Sequence, residues 1–298
     1  MAYDGLMGTR LDDNISSAAD RTIVITGGNS GIGRATASML AGMDAQVVLA
    51  VRNLDKGRAA AETMRGTVDV QHLDLADLAS VRAFAEDYAE PIDILINNAG
   101  IMAPPLGHTA DGFESQFGTN HLGHFALTNL LLPQIRDRVV TISSIGHRMG
   151  TIDFDDLNWE RRPYKPMAAY GQSKLANLLF TSELQRRLTE VSSSVIAAAA
   201  HPGLAATNLY RLQGNRTLAS VTEALIGLIS QNEQQGAVPT LCAATADIPG
   251  NSYVGPRRFK ETFGQPKLVG RSAAAKDAEV ARRLWTVSEE LTGVEFPL

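Results

Sequence analysis

A chain of 298 residues has room for one large or two average domains, and 44% hydrophobic with 20% charged residues is a globular composition with a sizeable core, which excludes extended disorder. The formal charge of -5 comes from 27 basic and 32 acidic residues interspersed along the chain, with no basic block of the kind that binds nucleic acid. The one cysteine, Cys242, cannot form an internal disulfide and stands in no metal-ligand cluster. With no signal-peptide stretch in residues 1–20 and no apolar run of about eighteen residues, the expectation is a cytoplasmic protein without an integral membrane segment or a metal.

Residues 1–20 read as an N-terminal arm. Thr22 to Thr26 then predicts a strand, Ile32 to Ala41 a helix, Gln46 to Ala50 a strand and Asp55 to Met64 a helix. The alternation continues with a strand at Val68 to His72, a helix at Asp77 to Tyr88, a strand at Ile92 to Ile96 and a helix at Phe113 to Leu132. Val139 to Ser143 and Val195 to Ala200 complete the strands, separated by a helix from Ala168 to Leu188 and followed by one from Glu233 to Ala246. The strand runs are continuously apolar, so both faces must be covered, as in a parallel sheet between helices. The expected fold is α/β: a doubly wound parallel sheet of about seven strands flanked by helices, in one domain over residues 21–255, with ligands at the carboxyl ends of the strands. Past Gly255 the pattern loosens into a Gly, Pro and Arg segment and a terminal helix from Ala273 to Leu291. Residues 256–298 are therefore expected as an extension packed on the same domain.

Thr26-Gly27-Gly28-Asn29-Ser30-Gly31-Ile32-Gly33 follows the first strand and opens the first helix. Glycines there allow a tight turn and close backbone approach, and the helix start offers free N–H groups and partial positive charge to a pyrophosphate. The placement predicts dinucleotide binding. The T-G-x-x-x-G-x-G spacing resembles the short-chain dehydrogenase/reductase family in its single-domain Rossmann form. That resemblance implies pyrophosphate contacts from Gly27, Asn29, Ser30, Gly31, Ile32 and Gly33. At the end of the second strand Val51 stands where an NAD enzyme would carry an acidic residue for the ribose hydroxyls, and Arg52-Asn53 follow. A guanidinium suits a ribose phosphate, so NADP(H) is the expected cofactor, with NAD(H) the alternative. Asp74-Leu75 matches the family's adenine contact, and Asn97-Asn98-Ala99-Gly100 its N-N-A-G element beside the adenosine ribose.

Hydride transfer to or from a nicotinamide needs a partner for the alcohol proton near neutral pH. A free tyrosine, with a pKa of about 10, is a poor base. A lysine one helical turn away stabilises its phenolate, and among the six tyrosines only Tyr170 has one, Lys174. Upstream, Val139-Val140-Thr141-Ile142-Ser143-Ser144 brings two hydroxyls to the ligand edge. The resemblance selects Ser144 as the catalytic serine and leaves Ser143 as support. It also implies that Asn120, in Gly118-Thr119-Asn120-His121, is the fourth catalytic residue, and that Pro202, Gly203 and Thr207 hold the nicotinamide carboxamide. His201 reads as structural.

The interval Ile145 to Ala169 is long for the family and resembles the branch of retinol dehydrogenases and light-dependent protochlorophyllide reductases. His147-Arg148, Phe154-Asp155-Asp156-Leu157 and Tyr170 to Asn177 carry that similarity. By the same resemblance, residues 204–232 form a flap over the substrate. Leu218, Val221, Leu225, Leu228 and Ile229 fall at helical spacing there, which suits either a lipophilic aldehyde or ketone and its alcohol or packing on the core. Family members associate through helices corresponding to Phe113–Leu132 and Ala168–Leu188, which implies a homodimer or homotetramer. A non-catalytic, nucleotide-sensing protein on the same fold is the rival class.

Overall fold

The computed structural model describes residues 15–204 and 232–298. Eight strands form its single sheet: β1 (Thr22–Thr26), β2 (Gln46–Val51), β3 (Thr67–His72), β4 (Ile92–Asn97), β5 (Ile135–Ile142), β6 (Ile196–Ala200), β7 (Tyr253–Arg258) and β8 (Phe263–Leu268). The helices between them are α1 (Gly31–Ala41), α2 (Leu54–Ala61), α3 (Leu78–Asp87), α4 (Gly123–Leu131), α5 (Pro166–Glu190) and α6 (Glu233–Thr245), and α7 (Ala278–Thr292) follows the last strand. The strand order is β3-β2-β1-β4-β5-β6-β7-β8, parallel as far as β7, so the order reverses between β1 and β4 and a crevice opens beyond their carboxyl ends.

Alternate residues of each strand feed opposite layers, as the two-residue period of a strand requires. Ile23, Ile25, Leu49, Ile94 and Ile96 face Ala37, Leu40 and Cys242 of α1 and α6. Val24, Val48 and Leu95 face Phe84, Phe125 and Leu184 of α3, α4 and α5. The same second layer takes Trp285 of α7, 2% exposed, whose ring lies 4.9 Å from Phe125 and 5.6 Å from Phe180, centroid to centroid. α7 thus covers α4 and α5, the helices through which the family resemblance placed an oligomer.

The structure differs from the sequence expectation in two places. The stretch past Gly255 is not irregular: β7 continues through Arg258 and turns into β8, its antiparallel partner, so the boundary drawn at Gly255 falls within a strand. Pro256 lies opposite Pro266 in that ladder, and the register shifts before Arg258. Prolines donate no N–H and are rare in strand interiors, which is why the segment reads as loop. The turn between β7 and β8 carries positive φ at Phe259, Lys260 and Glu261, a region uncommon for residues with side chains. The expected long helix at Phe113–Leu132 is in fact three pieces: a turn at Ser115–Phe117, a π-helical segment at Gly118–Leu122 and then α4.

Candidate active site

A cavity of about 420 Å³ occupies the crevice, within the usual small-molecule range of roughly 300–1,000 Å³. Its floor is the glycine turn, where Gly27 and Asn29 to Gly33 all line the wall. Gly27 and Gly31 have φ of +66° and +54°, a left-handed conformation that glycine adopts freely. A Cβ on Gly33 would lie 2.4 Å from Asn98 Nδ2 and 2.6 Å from the Gly27 carbonyl oxygen, so this approach tolerates no side chain. Ser30 caps α1 without using its side chain, which leaves the first N–H groups of the helix unclaimed by a capping oxygen. A pyrophosphate needs such a cradle, and the residues present fit a dinucleotide.

Thr26 ties this turn to the end of β4. Its Oγ1 accepts from the backbone N–H of Asn98 and of Ala99, at 2.9 Å each, and its carbonyl oxygen accepts from Asn98 Nδ2 at 2.8 Å. Asn98, Ala99 and Gly100 line the cavity, as do Asp74 and Leu75 after β3. At the end of β2, Val51 and the exposed Arg52 line it as well. Asn53 does not: its side chain caps α2, accepting from Lys56 N at 2.9 Å.

The opposite end is built by α5 and the end of β5. Tyr170 and Lys174 both line the cavity, one turn apart on α5, with the Lys174 ammonium 5.7 Å from the centre of the Tyr170 ring. Lys174 is 4% exposed and donates to the Ile142 carbonyl oxygen at 3.1 Å, and burial holds its pKa down to about 8. Asn177 donates to the same carbonyl at 3.0 Å. Ser143 turns its hydroxyl to the Lys174 carbonyl oxygen at 2.8 Å, so although it lines the cavity its proton is committed to the helix.

Ser144 stands at the N-cap of the 3-10 turn Ile145–Met149, its Oγ accepting from Gly146 N at 3.1 Å. A Cβ on Gly146 would meet the Tyr170 ring at 3.1 Å and Ser144 Oγ at 3.4 Å, which puts the hydroxyl and the ring on adjoining sides of one glycine. Gly150 and Gly171 let this turn approach α5 closely: a Cβ on Gly150 would fall 2.2 Å from the Gly171 carbonyl oxygen. Asn120 sits behind the wall in the π-helical segment. It pairs with the Ile101 backbone, accepting at 2.8 Å and donating at 2.9 Å, and donates to Ser173 Oγ at 3.0 Å. A Cβ on Gly100 would touch both Asn120 Oδ1, at 3.1 Å, and Lys174 Nζ, at 3.4 Å.

Pro202 lines the cavity; Gly203 lies just outside it, with φ +72° and the Thr262 carbonyl oxygen where its Cβ would be. Thr207 and most of the expected flap, including Leu218 to Ile229, lie outside the described residues. Among the described residues no cluster of three or more metal-ligating side chains exists, and no helix is long and apolar enough to cross a membrane.

The short chain dehydrogenase family model matches residues 21–216, more than half of the chain. The chain belongs to the short-chain dehydrogenase family. Human retinol dehydrogenase 13 is 44% identical over 296 residues, covering 93% of this chain and 86% of that protein. Mouse retinol dehydrogenase 12 is 42% identical, covering 93% and 87%. A crystal structure of a protein from Mycobacterium paratuberculosis superposes with a TM-score of 0.83 at 55% identity, covering 98% of this chain and all of that one. A crystal structure of a Beutenbergia cavernae protein with NADP bound at low occupancy gives 0.60 at 25% identity over 77% and 91%.

As a short-chain dehydrogenase of the retinol dehydrogenase-like branch, the protein is an NAD(P)-linked oxidoreductase, and its cavity joins the glycine turn to the Tyr170–Lys174 pair. The residues that sequence reasoning missed hold this site from behind. The Ile142 carbonyl oxygen that accepts from the Lys174 ammonium is backbone and leaves no trace in residue type. Thr26 was visible as the hydroxyl before the glycines but carried no assignment. Its hydroxyl also meets His124 Nε2 at 2.9 Å, while His124 Nδ1 reaches the Asn120 carbonyl oxygen at 3.0 Å, linking the glycine turn to Asn120.

Proposed function

We propose that this protein interconverts a lipophilic aldehyde or ketone with its alcohol, using NADP(H), with Tyr170 as the acid/base. The observation that carries the reading is the buried Lys174 ammonium beside Tyr170 in the cavity that the glycine turn opens. A cation within this reach favours the phenolate over the phenol, so Tyr170 can take a proton from an alcohol near neutral pH and return it to a carbonyl oxygen. Ser144 Oγ, which borders the same face of Gly146 as the Tyr170 ring, donates to the substrate oxygen and stabilises charge developing there. Asn120 fixes Ile101 and Ser173, the residue before Lys174 on α5. NADP(H), held by the glycine turn, Asp74, Asn98 to Gly100 and Pro202, supplies or receives the hydride.

The preference for NADP(H) rests on Arg52, which lines the cavity beside Val51 where a carboxylate would favour the unphosphorylated ribose. On composition, with Cys242 the one thiol, the reading places the activity in the cytoplasm. A homodimer or homotetramer, implied by family resemblance, stays part of the reading, and it would use the surface of α4 and α5 that the packing of Trp285 and α7 leaves open.

The test is a panel of retinal, decanal, benzaldehyde and cyclohexanone with NADPH and with NADH, for the native chain and Arg52→Ala. NADPH should support turnover of at least one lipophilic member, and the substitution should lower the NADPH-to-NADH preference about tenfold or more, the worth of a charge-assisted pair. Tight NADPH binding with no turnover of any member would favour a nucleotide-sensing protein. An unchanged preference would remove Arg52 from the cofactor site.

A further inference from the structure

The extension beyond Gly255 has no part in the chemistry described so far, yet it reaches the reaction serine through one imidazole. His147, 1% exposed, lies in the turn that Ser144 caps. The backbone N–H of Ser272 points at His147 Nε2 from 3.2 Å. A backbone N–H can only donate, so Nε2 is the acceptor and the ring proton sits on Nδ1. Nδ1–H therefore donates to the Ser144 carbonyl oxygen, 2.6 Å away. The Tyr253 ring packs against the imidazole in a T-shaped contact, with centroids 5.8 Å apart, and restrains its plane. Burial holds the His147 pKa down to about 4, so the neutral form that this arrangement requires is the one present near neutral pH.

The neighbouring residue makes a second link from the same turn to the same extension. Arg148 pairs with Glu261 Oε2 at 3.0 Å, in the positive-φ turn between β7 and β8. His201 Nδ1 accepts from Gly203 N at 3.2 Å, so Nε2 bears its proton and faces the same Glu261 oxygen from 3.6 Å. Next to Glu261, the Thr262 carbonyl oxygen accepts from Leu204 N at 2.9 Å, at the first residue of the expected flap. The C-terminal extension thus grips both the turn that carries Ser144 and the turn after β6.

We propose that His147 is a positioning residue: held by Ser272 of the C-terminal extension, it fixes the Ser144–Ile145 peptide and thereby the aim of Ser144 Oγ at the substrate oxygen. This rests on the assignment of Ser144 to the reaction. The peptide carbonyl and the hydroxyl belong to one residue, so a carbonyl free to rotate leaves the hydroxyl free to leave its place beside Gly146 and Tyr170. Displacing a reacting group by about 1 Å costs up to a hundredfold in rate.

Two near-isosteric substitutions separate the two ends of the imidazole. In His147→Asn the amide nitrogen takes the place of Nδ1, keeping the bond to the Ser144 carbonyl oxygen and giving up Ser272. In His147→Gln the terminal amide takes the place of Nε2, keeping Ser272 and giving up Ser144. With NADPH and retinal, kcat should fall about tenfold or more in the Gln variant and much less in the Asn variant, with NADPH affinity within twofold of native in both. Amide exchange at Gly146 and His147, measured without substrate, should accelerate in the Gln variant alone. Equal losses in the two variants, the reverse order, or a loss of NADPH affinity in step with kcat would overturn the proposal. Ser144→Ala is measured beside them. Full turnover there would show that the assignment of Ser144 has failed, whereas a loss there with both His147 variants at native kcat would overturn the positioning role alone.

Discussion

Around the glycine turn the cavity wall is backbone held close by the absence of side chains, whereas around Tyr170 it is made of side chains gathered from distant parts of the chain. Gly27, Gly31 and Gly33 admit a ligand because nothing projects from them, and one hydroxyl, Thr26, staples them to Asn98 and Ala99. At the other end Lys174, Asn177, Ser143 and Asn120 are all buried, each with hydrogen-bonding partners drawn from another segment. Backbone recognition is local and suits the constant pyrophosphate of a dinucleotide. Side-chain assembly is long-range, and its precision depends on the packing of α5, α7 and the β7–β8 hairpin.

Trp285→Ala should separate the two ends most strongly. Removing a ring packed against Phe125, Phe180 and Phe296 should cost about 3–5 kcal/mol of stability. Below the new melting temperature NADPH affinity should stay near native, as read by chemical denaturation and by a binding titration. A parallel fall in affinity would mean that the two ends are not independent. Gly33→Ala should do the reverse. Its Cβ would crowd Asn98 and the Gly27 carbonyl, overpacking worth about 1–3 kcal/mol, which as lost NADPH affinity is about tenfold to a hundredfold. Native affinity in this variant would show that the turn is looser than its contacts require.

A separate effect concerns acid. His121 and His124 are buried between the two ends, and burial lowers their pKa values from 6.5 to about 3 and about 4. The unfolded chain takes up these protons near pH 6.5 and the folded chain does not. Their contribution to stability is therefore complete above pH 6.5 and declines as pH falls toward 4, by about 1.4 kcal/mol per pH unit for each. Urea midpoints at pH 7 and pH 5 check this, and a midpoint that is flat or higher at pH 5 would contradict it.

The same contrast explains what could be read from residues alone. The glycine turn lies within eight consecutive residues, from Thr26 to Gly33, and Tyr170 and Lys174 share one helix face, so both carry their geometry in local spacing. The parallel strands announce themselves by continuous apolar runs. β8 does not, because Pro266, Gly264 and Lys267 break the apolar pattern and its ladder is only a hairpin at the sheet edge. The bond from Ser272 to His147 spans 125 residues and that from Glu261 to Arg148 spans 113, separations that leave no periodicity to detect. Asn120 could be placed only by family resemblance, since the π-helical segment that turns it toward Ile101 differs from the uninterrupted helix expected there.

Tyr170→Phe tests the central claim most directly, because it removes one oxygen and keeps the ring that packs against Gly146. Measured with NADPH and retinal, kcat should fall by about 10²–10⁴, the usual contribution of a positioned acid/base, while NADPH affinity stays within twofold of native. Turnover at the native rate in this variant would contradict the account.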